Sequence, residues 1–225
     1  MSVMPNVGID TTVAELRRAK KEGVRGVAIS AWPSGGDNLR AEDDPFWAEA
    51  AELNMPVSIH LLLAAQQNKM GASGKGSVAI GASSLMFSMP IMVELIFQAV
   101  FDRFPKLRIG LIECGVGWIP HFLEMVDDRY WRNRHWTNTK VKKVPSQYFK
   151  DHCLATFICD HNGISVRHQV GIDNMSWSTD FPHHGNDWPY SRKTIEDMMG
   201  ALPEGEQAKI TGGNAARIWH LDNQV

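Results

Sequence analysis

Short, almost unbroken apolar runs alternate with helix-like stretches along this chain, and that alternation restricts the fold more than any other feature. Val27-Ala-Ile-Ser30, Val57-Ser-Ile-His-Leu61, Arg108 to Glu113, Ala155 to Cys159 and Met175 to Thr179 each read as a strand. Ser2 to Val7 is a sixth, weakened by Pro5. Near-continuous hydrophobicity suits parallel strands covered on both faces. The stretches between them carry helix signals. Thr12-Val-Ala-Glu15 has the capping-box pattern, and Gly23 closes that helix. Asp44-Pro45 opens the next, with proline at its first position. Ser88 precedes an apolar helix that runs to about Phe104 and stops at Pro105. Trp118 to about Trp131 is another. Pro203 opens a helix that Gly212-Gly213 ends, and Asn214 caps the last one, through Leu221. The glycine- and serine-rich stretch from Gln67 to Ser84 reads as a loop.

Repeated βα units in one chain close into a barrel or spread into a doubly wound sheet. No GxGxxG or GxxxxGK[ST] loop follows any strand. Polar groups instead recur at strand ends: His60, Glu113, Asp160-His161 and Asp180. Active groups drawn from several strand ends are barrel behaviour, so the expected fold is α/β, a (β/α)8 TIM-barrel-like domain. At 225 residues the chain reads as a single domain, 1–225. A net charge of −2 gives no electrostatic case for nucleic acid or an anionic membrane. Met89 to Val100 is too short and too polar to span a bilayer. Cys114, Cys153 and Cys159 are widely spaced and odd in number. With no signal peptide evident, they read as reduced thiols of a cytoplasmic protein.

The strongest chemical signal is Met175-Ser-Trp-Ser-Thr-Asp180-Phe-Pro-His183-His184, a strand that ends on a carboxylate followed at once by two imidazoles. Asp180 reads as a metal ligand or proton-transfer group, or as an Asx-turn or helix cap. His183 and His184 orient Asp180, bind substrate, or sit in a wet loop. Glu113, before Cys114-Gly115-Val116-Gly117-Trp118, is a ligand, a proton donor, or a carboxylate satisfied by helix N-terminal amides. His60 is a hydrogen-bonded rim residue or a metal ligand. Asp160-His161, before Asn162-Gly163, reads as a turn. Cys114 lacks a histidine partner and reads as packing. Trp118, Trp131, Trp136 and Trp188 read as core or lid packing, and Lys140-Val-Lys-Lys143 as a solvated turn.

Taken in order, these motifs resemble the amidohydrolase-related family, in the branch with aminocarboxymuconate-semialdehyde decarboxylase and the resorcylate-type decarboxylases. The resemblance rests on Glu22-Gly-Val-Arg-Gly-Val27, Pro56-Val-Ser-Ile-His60, Phe104-Pro-Lys-Leu-Arg108 and Glu113 to Pro120. More specific are Ser178-Thr-Asp-Phe-Pro-His183 and Gly212-Gly-Asn-Ala-Ala-Arg217. It implies a distorted (β/α)8 barrel with one divalent metal, zinc or manganese. His60 matches the family's mid-barrel histidine ligand. Asp180 matches its strand-eight aspartate. Glu113 stands where many members have a histidine that assists proton transfer.

One departure lies at the front. Family members begin with a strand bearing an HxH, DxH or ExH pair, yet His60 is the first histidine here. Met1 falls about where the family's third strand would begin, so about six of the eight βα units are expected. The resemblance therefore implies a metal-dependent hydrolase or non-oxidative decarboxylase acting on a small carboxylic-acid or carbonyl substrate. In it His60 holds the metal, Asp180 is a second ligand or the general base, Glu113 transfers protons, and His183 and Trp118 are expected to contact substrate. The other reading is a catalytically silent barrel that binds or oligomerises, with a homodimer covering the open edges.

Overall fold

A computed structural model describes residues 1–60 and 87–221. Six parallel strands form one sheet: β1 Ser2–Val3, β2 Val27–Ile29, β3 Val57–His60, β4 Ile109–Ile112, β5 Cys153–Phe157 and β6 Met175–Trp177. Their spatial order is their chain order. A doubly wound sheet reverses direction at a switch point, whereas this one does not, so the winding is that of a barrel. Among the described residues, β1 and β6 each have one neighbour and do not pair with each other.

The six expected strands are all present, with shifted ends. β1 stops two residues before Pro5. β5 starts two residues early, because Cys153 and Leu154 pair with Ile109 and Gly110. The predicted Gln67–Ser84 loop and Leu61 lie outside the described residues.

Helices fill the connections: α1 Ile9–Lys21, α2 Asp44–Glu52, α3 Ser88–Phe97, α4 Val100–Arg103, α5 Ile119–Asn133 and α6 Pro145–His152. Beyond β5 come α7 His161–Ser165, α8 Arg167–Val170, α9 Ser191–Met199, α10 Glu204–Ala208 and α11 Asn214–Ile218. Four expectations need correction. The Thr12–Glu15 capping box does not form, because α1 begins earlier, after Gly8. Thr12 is buried inside it and donates its hydroxyl to the Pro5 and Gly8 carbonyls. The helix expected from Ser88 to Phe104 breaks in two at Ala99, which takes a left-handed conformation with φ 55°. Gly212-Gly213 does not end a helix, since a π-helical turn over Lys209–Gly213 leads directly into α11. Asn214 is consequently no cap. It is buried and donates to the carbonyls of Ile172 and Met175, tying α11 to β6.

Side chains alternate across a strand, so the two faces of the sheet are packed by different partners. Val57, Ile59, Ile109, Leu111, Cys153, Ala155 and Phe157 join the main core with the helices. Leu154 and Ile112 point the other way and pack with Ile218 and Trp219. Gly26 and Gly110 make room for that indole: a Cβ on either would lie within 3 Å of Trp219. The C-terminal tryptophan thus fills the sheet's inner face.

Candidate active site

Three strand ends supply the site. His60 is the last residue of β3, Glu113 follows β4, and Asp180 lies just beyond β6. Parallel strands put all three on one rim of the sheet. Glu113 is the hub. Its Oε2 lies 2.8 Å from His60 Nε2. Donor atoms of Glu113, Asp180 and His183 lie within 4.8 Å of one another. Asp180 Oδ2 in turn lies 2.6 Å from His183 Nδ1. The structure therefore brings together His60, Glu113, Asp180 and His183, four residues drawn from three separate parts of the chain.

Both carboxylates sit on strained backbone. Glu113 has φ 61° and Asp180 φ 55°, left-handed values that side-chain-bearing residues rarely adopt. Such a conformation costs on the order of 1–3 kcal/mol and persists only where surrounding contacts hold it. At Glu113 they do. Its amide donates to Thr156 Oγ1, and the amides of Cys114 and Gly115 donate to the Thr156 carbonyl. At Asp180 the main-chain carbonyl accepts from the His183 amide, closing a turn over Phe181 and Pro182.

Asp160 explains the rest of the local order. Its Oδ2 accepts from the amides of Val116 and Gly117, and its Oδ1 from that of Gly163. The turn expected at Asp160-His161 is instead the capped start of α7. The amide-satisfied carboxylate considered for Glu113 is thus Asp160, and Glu113 is left facing the histidines. The Trp118 indole donates to the carbonyls of Cys114 and Gly115, closing the same loop. Cys114 is buried, and burial pushes its thiol up to about 12. It stays protonated at neutral pH and packs, as expected, rather than attacking.

A cavity of about 540 Å³ opens beside Glu113, with Trp118, Phe157, Cys159 and Asn162 in its walls. Flat aromatic walls next to a carboxylate suit a small ring-bearing substrate. Three of the tryptophans expected in the core or in a lid lie outside the core. Trp131, Trp136 and Trp188 are exposed, and the buried tryptophans among the described residues are Trp32, Trp47 and Trp219. Sequence signals for core tryptophans are weak because an indole packs as readily on a rim as in a core.

A metal fits the donor set. Imidazole nitrogens and carboxylate oxygens bind zinc at about 2.0–2.2 Å, so donors sharing one ion stand no more than about 4.4 Å apart. The cluster of Glu113, Asp180 and His183, with donor atoms within 4.8 Å, is a few tenths of an ångström wider than that limit, and His60, the ligand expected from sequence, is not part of it.

The family model for amidohydrolases matches residues 1–221. This chain belongs to the amidohydrolase family. It is 23% identical to the gamma-resorcylate decarboxylase of Rhizobium radiobacter over 99% of its own length and 70% of that protein. Its fold superposes on the 5-carboxyvanillate decarboxylase of Sphingomonas paucimobilis with a TM-score of 0.79 at 22% identity. That match covers 97% of this chain and 65% of the other, so the chain spans about two thirds of the proteins it resembles. A dihydroxybenzoic acid decarboxylase from Polaromonas, solved with bound manganese and 2-nitroresorcinol, gives a TM-score of 0.73 at 21% identity, covering 99% and 68% of the two chains. The expected (β/α)8-type fold with about six units agrees with the sheet and with these superpositions. No helix among the described residues is long and apolar enough to cross a membrane.

Proposed function

We propose that this amidohydrolase is a divalent-metal-dependent decarboxylase of small aromatic carboxylic acids. The convergence of His60, Glu113, Asp180 and His183 beside an aromatic-walled cavity carries the reading. The named activities of the relatives point the same way. His60 and Asp180 are the metal ligands of this reading, and His183 holds the Asp180 carboxylate through Nδ1. A bound ion would supply positive charge to hold and polarise the substrate's oxygens. Zinc and manganese both suit a mixed imidazole and carboxylate set.

Glu113 in its acid form delivers a proton to the ring carbon that bears the carboxylate. The bond to that carboxylate then breaks, carbon dioxide leaves, and the electron pair restores the aromatic ring. Solvent at the open rim reprotonates Glu113. Trp118 and Phe157 would wall the ring. Hydrolysis of a carbonyl substrate would draw on the same groups, and the relatives' names favour decarboxylation. A second ligand assignment is favoured by the 4.8 Å cluster, in which His183 binds the ion and His60 serves Glu113.

One set of measurements tests both. Purified protein loaded with manganese or zinc is given gamma-resorcylate or 5-carboxyvanillate, and the decarboxylated phenol is followed by chromatography. Turnover is expected, with Glu113→Gln slower by about 10²–10⁴-fold. Metal per chain should fall in His60→Ala under the first assignment and in His183→Ala under the second. No turnover of either acid by metal-loaded protein, or full activity in Glu113→Gln, sinks the proposal. We place the chain, as a single domain, in the cytoplasm on the strength of its three unpaired cysteines. A homodimer would cover the free edges of β1 and β6.

A further inference from the structure

A second cavity among the described residues is larger than the one beside Glu113. It measures about 830 Å³ and lies between the end of α3, the last turns of α5 and the segment 134–140 that follows. Helix α5 begins next to the site, at Trp118, and runs for 15 residues, about 22 Å, before reaching this cavity. The two sites share no lining residue.

Its charge is one-sided. Arg103, Arg129, Arg134 and Lys140 line it, against the single carboxylate of Asp44. That carboxylate is already neutralised by Arg103 at 2.7 Å. Among the described residues, Arg129, Arg134 and Lys140 have no carboxylate at ion-pair distance. Arg134 is the most constrained of the three. Its guanidinium stacks on the Trp131 ring at 3.9 Å, and its Nε is buried with no hydrogen-bond acceptor. With Nε shut in against the ring, the terminal nitrogens of the guanidinium, which make no hydrogen bond to the described residues, are the part left to meet a ligand. Stacking fixes the plane of the fork, and a fixed fork matches the paired oxygens of phosphate. Phe97 and Tyr130 add apolar wall, and the volume falls in the range of small-molecule sites and far exceeds a bare phosphate.

We propose that this cavity is a second ligand site, which binds a phosphorylated small molecule through Arg129, Arg134 and Lys140. The assignment does not depend on the decarboxylase reading, because no residue of the strand-end cluster takes part.

Inorganic pyrophosphate is the probe, titrated into the full chain by calorimetry at 0.15 M salt. Saturable one-to-one binding is expected, tighter than about 1 mM, and weaker in higher salt as exposed charges are screened. Trp131 fluorescence should change with the same midpoint. The double variant Arg129→Gln/Arg134→Gln should weaken binding at least tenfold, and Lys140→Gln, in an exposed segment, at least twofold. Circular dichroism of each variant separates lost binding from lost fold, and Lys140→Gln gives the answer if the double variant unfolds. Glu113→Gln should bind pyrophosphate as the parent does, which separates this site from any metal-bound phosphate at the strand ends. Absence of saturable binding overturns the proposal. So does binding untouched by Lys140→Gln and by the folded double variant, or binding abolished by Glu113→Gln.

Discussion

Asp160 accepts three main-chain amides and so holds the loop after β4 against the start of α7. This one residue sets where Glu113 points, because Val116 and Gly117 belong to the turn that carries Glu113's strained backbone. Asp160→Ala removes acceptors from three N–H groups, two of them in the Glu113 loop. A loss of about 2 kcal/mol is expected, since a cap alone contributes about 0.5–2 kcal/mol and bonds to a charged acceptor are the stronger kind. Urea denaturation should show a lower midpoint at unchanged slope, and a midpoint equal to the parent's would show that the amides find other acceptors. Legibility at this scale was uneven. His60, Glu113 and Asp180 stood out because each is a polar group closing an apolar run. Asp160 stood out too, yet its role as a clamp depends on residues 44 positions away and has no local signature. His183 was visible as a neighbour of Asp180, but its place in a cluster with Glu113 was not.

The elements themselves were legible wherever burial on both faces forced apolar runs, as in β3 and β4. They were less so where tertiary contacts overrode local propensity, as at Ala99 and Asn214. Helix α6 shows how an element's packing also sets a pH response. His152, its last residue, is buried with its Nδ1 2.9 Å from the Leu107 carbonyl and its ring stacked 4.6 Å from that of Phe101. Burial holds its pKa below the ordinary histidine value, the Leu107 carbonyl opposes that, and the Arg108 charge adds to it. Asp151 and Lys143 are the other charges that face it, with opposed effects. Folded protein therefore keeps His152 neutral at pH values where the unfolded chain protonates it. Stability is full above about pH 6.5 and is lost as pH falls towards the lower folded value. One such group gives a slope of up to about 1.4 kcal/mol per pH unit. Denaturation midpoints at pH 7.5, 6.5 and 5.5 should fall in the parent, and His152→Gln should fall less. Parallel profiles would assign the acid sensitivity to other groups.

For the whole molecule, the rim cluster is where binding and stability meet. A metal that binds the folded chain at 100 times its dissociation constant adds about 2.7 kcal/mol. For a chain of this size that raises the melting temperature by roughly 5–10 °C. The rise should appear with manganese or zinc, reverse with chelator, and be absent in Asp180→Asn. Identical melting curves with and without metal in the parent would leave the cluster without an ion to hold. The sheet's inner face is a second whole-molecule feature. Trp219, close to the end of the described chain, packs over Gly26 and Gly110 near the middle of the sheet, and Arg25 bonds to the His220 carbonyl.

Hydrophobic runs and their spacing determined the parallel α/β sheet, because a strand buried on both faces cannot be written in any other alphabet. Strand-end polar residues determined where chemistry would collect, since parallel strands share one rim. The tertiary structure alone decided which of those groups meet. Distances between Glu113, His60, Asp180 and His183 depend on strand register and on two left-handed residues. It likewise decided that Asp160 is a clamp and that a basic cavity lies beyond α5. Both arise from contacts between residues far apart in the chain, about which local sequence carries no information.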